Sequence, residues 1–292
     1  MIILQLTGGL GNQMFQYAFG RSTALRLGVG LRIDITNHTL QIHNGVELGR
    51  VFGIPVQIAT TADVRSVLGW QYSRFTRGLL RRAGAGALIC KSYIAEQGFG
   101  FKPEFLQVSD NVFLSGYWQS EKYFHNVADT IRSDFRFCLL PSEPNVALAA
   151  AINMPGVDSV SLHIRRGDYV HNAAVNAIHG SCSLAYYQDA MALVAGRVKN
   201  PHFYVFSDDV NWVAGNLPMP YPHTLVDHNR GSSSYEDMRL MSTCRHHVIA
   251  NSSFSWWGAW LNDKAGKIVV APKRWFSNAD VVDVLPEGWI RL

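Results

Sequence analysis

Two periods of hydrophobic and polar positions run along the chain. An apolar run at 2–6 leads through the glycine-rich stretch "TGGLGNQ" into a segment whose apolar residues recur at helical spacing, Met14 with Ala18 and Phe15 with Phe19. The pattern predicts a strand at 2–6, a helix at 11–27 stopped by Gly28, and a strand at 31–35, which together make a βαβ unit. Residues 40–110 carry only short apolar pieces broken by glycine and give no clear period. After "NVFLSGYWQSEKYF" (111–124) a helical stretch leads to Phe137. "LLPSEPN" and "NMPGVD" then bracket a short Ala-rich helix, and the domain boundary is expected there, giving domains 1–155 and 156–292. From Val157 the alternation becomes regular. It predicts strands at 157–164, 202–207, 223–227, 246–250 and 267–271, with helices near 183–199, 209–216, 233–243 and 254–262. Strand and helix in alternation mean parallel sheets, so the expected class is α/β with two Rossmann-like domains. Each polar cluster of the second half falls just past a strand end: "RRGD", "SDD", "DHNRGSSSYED" and "NSSFSWW". In doubly wound sheets that rim is where ligands bind.

Composition narrows the class. The 292 residues are 48% hydrophobic and 16% charged, which suits two globular domains and excludes a disordered chain. No apolar run reaches the roughly 18 residues of a spanning helix. The start "MIILQLTGG" lacks the basic segment and long apolar core of a secretory signal, so a cytoplasmic protein is expected. The four cysteines, Cys90, Cys138, Cys182 and Cys244, lie far apart and suggest neither a zinc site nor a disulfide framework. A net charge of +4 is too small to argue for nucleic acid. It is unevenly spread: Arg65, Arg74, Arg77, Arg81, Arg82 and Lys91 fall within 65–91, interleaved with Trp70, Phe75, Leu79 and Leu80. That segment reads either as a solvated helix face or as a peripheral contact with anionic lipid at the inner face of the plasma membrane.

The rim clusters suit an anionic, nucleotide-like ligand. Arg165 and Arg166 on a strand end form a fork for phosphate oxygens. Among Asn251, Ser252, Ser253, Phe254 and Ser255, a serine is placed to cap the next helix, whose free N–H groups would face the same rim. The competing structural reading pairs the arginines with Asp168 or Asp208. After Ser207, the adjacent carboxylates Asp208 and Asp209 point to opposite sides, so one is expected to accept hydrogen bonds from a base or ribose while the other caps a helix. The chain has no D-x-D tripeptide, and no metal or other cofactor is expected. In the N-terminal turn Gly9 and Gly11 follow a strand and Asp34 ends the next, as in a dinucleotide fingerprint, but the third glycine position is Met14. Asn12 and Gln13 instead suggest a polar loop facing a sugar or phosphate. The alternatives here are a nucleotide-dependent oxidoreductase and a non-catalytic carbohydrate-binding protein. The aromatics Tyr117, Trp118, Trp256, Trp257 and Trp260 could stack on sugars, although such residues are core by default.

In order along the chain, "GGLGNQMFQYAFGR", "SGYWQSEKYF", "SLHIRRGDYV", "FYVFSDD", "DHNRG" and "ANSSFSWWGAWL" resemble the bacterial α-1,2-fucosyltransferases. The resemblance implies a GT-B-like architecture with two facing Rossmann-like domains and a central cleft. It also implies metal-independent, inverting transfer of L-fucose from GDP-L-fucose to the 2-hydroxyl of a terminal galactose, on an oligosaccharide or lipid-linked glycan. A fucosyltransferase of another linkage is the alternative. By resemblance Arg165 clamps the pyrophosphate, helped by Ser253, Phe254 and Ser255; His163 and one of Asp208 and Asp209 contact guanine; and Asn12 approaches the β-phosphate or fucose from the other domain. Arg165, Asn12 and Asp168 form the expected catalytic set. Asp168 stands there as one of five candidates for a general base, with His171, His179, Asp34 and Glu96, that spacing does not separate.

Overall fold

The computed structural model describes residues 1–37, 39–73, 75, 78–79, 82, 92–167, 180–277 and 283–292. The chain forms two compact units, Met1–Cys138 and Leu139–Leu292. In the first, strands β1 (Ile2–Gln5), β2 (Leu31–Asp34), β3 (Tyr93–Ala95) and β4 (Val112–Ser115) form a parallel sheet in the order β2-β1-β4-β3. Helix α1 (Leu10–Leu27) buries Met14, Phe15, Ala18 and Phe19, and Gly28 ends it in the left-handed conformation at φ 67°, donating to the carbonyls of Ala24 and Leu25. Two further helices, α2 (Leu48–Phe52) and α3 (Thr61–Leu68), occupy the stretch without a clear period. There α3 is closed by a capping box, Thr60 accepting from the Asp63 N–H while Asp63 accepts from the Thr60 N–H. The strands β3 and β4 were not legible as strands. Each is only three or four residues long and gains its identity by pairing, Tyr93 with Phe113 and Leu4 with Leu114.

In the second unit six parallel strands, β5 (Asp158–Ile164), β6 (Pro201–Ser207), β7 (His223–Val226), β8 (His246–Val248), β9 (Val269–Ala271) and β10 (Ile290–Arg291), take the order β10-β9-β8-β5-β6-β7. Helices α4 (Ala128–Asp134) of the first unit and α5 (Glu143–Ile152), α6 (Leu184–Ala195), α7 (Val210–Asn216), α8 (Tyr235–Thr243) and α9 (Ser253–Leu261) of the second complete the elements used below. Alternation along β5 puts Val160, Leu162 and Ile164 into a core with Tyr187, Met191 and Val194 of α6. The opposite face presents Ser159, Ser161 and His163. Ser161 bonds the His247 ring at 2.8 Å, and that ring meets Asn262 Nδ2 at 2.7 Å.

Two parallel-sheet units of this kind are the α/β class, each of them Rossmann-like, as the alternation of strand and helix predicts. The units divide at Cys138, ahead of the boundary expected near 155, because α5 packs on α8 and is stitched to the loop after β7. Asn145 Nδ2 donates to Asn229 Oδ1 at 2.9 Å, and Asn229 Nδ2 returns to Asn145 Oδ1 at 3.0 Å. Among the described residues no helix is long and apolar enough to cross a membrane. Of the basic segment, Arg74, Arg77, Arg81 and Lys91 lie outside the described residues, while the Arg65 guanidinium sits 4.9 Å from the centre of the Tyr72 ring.

Candidate active site

In the second sheet the chain runs outward from β5 through β6 to β7, then returns to the other side of β5 as β8. That reversal makes the carboxyl ends of β5 and β8 the switch point of the sheet, the crevice where open α/β sheets hold ligands. The segments leaving these two ends are Arg165-Arg166-Gly167 and 249–253, which leads into α9. The rings of His163 and Phe254 lie 6.0 Å apart and bring the end of β5 to the first turn of α9.

The Arg165 and Arg166 side chains part company instead of forming one fork. Arg165 Nη1 pairs with Asp208 Oδ2 at 3.0 Å, both side chains remaining partly open to solvent. Arg166 lies across α7, its guanidinium 3.4 Å from the centre of the Trp212 ring and its Nε 3.6 Å from Asp209 Oδ2. Asp208 Oδ1 also accepts from the Arg166 N–H at 2.8 Å. Asp209 caps α7, accepting from the Trp212 N–H at 3.1 Å, and its own N–H donates to Ser207 Oγ at 3.0 Å. The expectation of a two-arginine clamp is therefore corrected: Arg166 is held by an aromatic face and a helix cap, which leaves Arg165 as the arginine of the rim. Asp168, with His171 and His179, lies outside the described residues.

His163 is 5% exposed, and its Nδ1 has no hydrogen-bond partner among the described residues. Burial pushes the imidazole down to about 4, with Asp208 pulling it up and Arg165 pushing it further down, so the ring is neutral near pH 7. A buried ring nitrogen without a partner costs about 1–3 kcal/mol, which a bound donor or acceptor would recover.

Asn251, Ser252 and Ser255 take more structural roles than expected. Asn251 Nδ2 donates to the carbonyls of Gly180 at 3.1 Å and Trp275 at 3.3 Å, and its Oδ1 accepts from Cys182 Sγ. Ser252 holds the N-cap position of α9 without a side-chain cap bond. Ser255 is fully buried, with its hydroxyl directed to the Ser252 carbonyl at 3.4 Å. The cap expected of a serine hydroxyl is absent, because these side chains are drawn into the protein. What the turn offers is its backbone: the first intrahelical bond is Trp256 N–H to the Ser252 carbonyl, so the N–H groups of Ser253, Phe254 and Ser255 have no acceptor within the helix. Trp256, Trp257 and Trp260 are core.

The first unit has its own switch point, between β1 and β4. The glycine-rich turn after β1 needs Gly8 most. Its φ is 74°, and a Cβ there would fall 2.7 Å from Asn12 Nδ2. Gly9 is the N-cap of α1, with His43 stationed 3.5 Å from where its Cβ would be, and Gly11 is buried in the first turn. Met14 is fully buried at the third fingerprint position. Gln13 is fully buried and does not face a ligand. Its amide donates to the carbonyls of Gly8 at 3.0 Å and Gly45 at 2.8 Å and accepts from the Glu47 N–H at 3.0 Å. Asn12 stays half-buried at the turn, its Oδ1 accepting from Gln119 Nε2 at 2.9 Å. Glu96 accepts from the N–H groups of Tyr117 at 2.6 Å and Trp118 at 3.1 Å, and burial raises its carboxyl above the ordinary value. It thereby holds Trp118 in the left-handed conformation at φ 55°, a strained state for a non-glycine residue. Trp118, a candidate for stacking on a sugar, is fully buried instead, and Gln119 was not singled out from the sequence. The signal for Gln119 was its place in "SGYWQSEKYF".

Comparison with known proteins places this geometry among glycosyltransferases. The family described as "Glycosyl transferase family 11" matches residues 83–291. An "Alpha-1,2-colitosyltransferase" of Escherichia coli is 33% identical over 100% of this chain and 99% of its own length. An "O-antigen biosynthesis glycosyltransferase WbnK" of Escherichia coli is 31% identical over 98% of this chain and 99% of its own. A "Galactoside alpha-(1,2)-fucosyltransferase 1" of Rattus norvegicus is 26% identical over 87% of this chain and 61% of its own.

Proposed function

Because the chain belongs to glycosyl transferase family 11, we propose that it transfers L-fucose from GDP-L-fucose to the 2-hydroxyl of a terminal galactose, with inversion at fucose C1 and without a metal ion. The acceptor is an oligosaccharide or a lipid-linked glycan of the kind that O-antigen biosynthesis consumes. The observation that carries the reading is the meeting at one switch point of Arg165, His163 Nδ1, which has no partner among the described residues, and the first N–H groups of α9, which have no acceptor within the helix.

Each part has a role in breaking the bond between fucose C1 and the diphosphate. As that bond lengthens, positive charge gathers on the sugar ring and negative charge on the departing GDP, and groups matched to the second charge lower the barrier. Arg165 supplies a guanidinium. Its pairing with Asp208 is partly open to solvent and worth about 1 kcal/mol, so a diphosphate of higher charge displaces the carboxylate. The N–H groups of Ser253, Phe254 and Ser255, at the positive end of α9, take the phosphate oxygens. The neutral His163 ring and the released Asp208 carboxylate meet the guanine edge. Asp168 is retained in the catalytic set as a candidate base for the acceptor hydroxyl.

One relative favours a second donor. Colitose is L-fucose without its 3-hydroxyl, and a full-length relative is named for transferring it, so GDP-colitose is the alternative donor. Comparing kcat/KM for the two donors on one galactoside decides between them, and a colitose preference of tenfold or more would replace the fucose reading. Arg165→Ala tests the clamp. Loss of one donor to a developing oxyanion costs about 3 kcal/mol, a hundredfold or more in kcat. Retention of wild-type kcat in a folded variant would remove Arg165 from the mechanism.

A further inference from the structure

A second concavity, of about 800 Å³, lies wholly within the first unit at the carboxyl ends of β1 and β2. It falls inside the range of about 300–1,000 Å³ that small-molecule sites occupy. Its polar side is built around Asp34, which is 3% exposed. Ser115 Oγ donates to Gln5 Oε1 at 3.0 Å, and Gln5 Nε2 donates to Asp34 Oδ2 at 3.1 Å. The Thr36 hydroxyl donates to the same oxygen at 3.0 Å. These bonds fix the carboxylate yet load mainly one of its oxygens. Oδ1 takes only a long bond of 3.4 Å from the Thr36 N–H and keeps acceptor capacity. The other side is apolar: Val64 and Leu68 of α3, Tyr72, and Tyr93 stacked on Phe113 at 5.9 Å.

The charge of the lining selects the ligand. Among the described residues that line the cavity there is no lysine, arginine or histidine, and the neighbouring Arg65 guanidinium is turned to the Tyr72 ring. A phosphate or carboxylate ligand would meet repulsion from the Asp34 carboxylate. A hydroxyl-rich neutral ligand meets an acceptor-only group that takes two neighbouring O–H donors, together with aromatic surface suited to the C–H face of a sugar ring. An acidic residue at the end of the second strand is also where Rossmann-like units engage vicinal hydroxyls.

We infer that this cavity is a subsite for a neutral pyranose of the acceptor glycan, with Asp34 accepting its hydroxyl hydrogens and Tyr72 and Tyr93 supplying its apolar wall. The inference rests on the reading of the chain as a transferase of sugars onto sugars, but not on the identity of the donor. Saturation-transfer NMR of lactose with the full chain tests it, alongside Asp34→Asn, which keeps the side-chain shape, and Tyr72→Ala at a surface position. Thermal protection by GDP is followed in parallel on all three proteins. Wild type is expected to transfer saturation to lactose ring protons, with the signal cut about fivefold or more in both variants while GDP protection persists. Lactose transfer that is absent from wild type, or unchanged in both variants, overturns the subsite. Loss of GDP protection in wild type would instead sink the donor reading, and the lactose result would still judge this cavity.

Discussion

Gly167 shows how much a single missing side chain decides at the rim. A Cβ at that position would fall 2.6 Å from Asp208 Oδ2, the oxygen that pairs with Arg165. Gly167→Ala therefore drives Asp208 away from both Arg165 and the Arg166 N–H. The variant is expected to keep its fold, since the position lies past the end of β5, and to lose about tenfold or more in kcat/KM for the nucleotide sugar. Steady-state kinetics with circular dichroism as a fold control check this. The place of Arg165 just past the strand is legible from the alternation that ends at Ile164. The role of Arg166 is not, because its partner Trp212 stands on a different helix and only the fold brings the two together. Gln13 and Asn12 make the same point. They are adjacent amides in one motif, yet one is fully buried as glue for the 45–47 loop and the other remains at the turn.

Among the elements, α5, α8 and the loop after β7 are joined by a buried polar network. Asn229 Nδ2 donates to Asp237 Oδ1 at 2.8 Å, and the His228 ring meets Asn145 Oδ1 at 2.7 Å. Burial pushes the Asp237 carboxyl up to about 7. The Asn229 hydrogen bond and Arg230 hold it lower, while Glu236 adds to the rise. The folded protein then holds this proton more tightly than the unfolded chain, whose aspartate keeps the ordinary value of 3.8. Stability is therefore lost as pH rises from about 4 to about 7. Asp237→Asn, which keeps an oxygen for Asn229, is expected to flatten that part of the profile. Urea unfolding at pH 4.5 and 7.5 measures it, and an unchanged slope would mean that Asp237 titrates as an exposed group. The helices α1, α6, α8 and α9 were legible because each is long enough to repeat apolar residues at helical spacing. The strands β3 and β10 were not, because two or three residues hold too little pattern and depend on a neighbour's ladder.

For the whole molecule, donor recognition predicts a linkage effect. GDP at about 100 times its Kd stabilises the folded state by roughly 2.7 kcal/mol, so the Tm should rise by several degrees, whereas NADH should give little protection. Equal protection by NADH would favour the oxidoreductase alternative, against which the buried Met14 and the His43 ring beside Gly9 already stand. Treatment with EDTA is expected to leave the transfer rate unchanged, because Asp209 is engaged by Arg166 and the cap of α7 and the proposed role of Asp208 is toward the guanine edge. A strong loss restored by Mn²⁺ would assign those carboxylates to a metal.

Period and spacing along the chain were enough to set the α/β class, the two-unit plan and the row of polar clusters past the strand ends, because side-chain alternation and helical repeat are local properties. Tertiary structure alone decided which groups within each cluster are free to act. Strand order put β5 beside β8 and so joined His163 to the start of α9, while long-range partners withdrew Arg166, Gln13 and Asn251 into the scaffold. A side chain's chemistry depends on what it is left to bond, and that is fixed by residues distant in sequence.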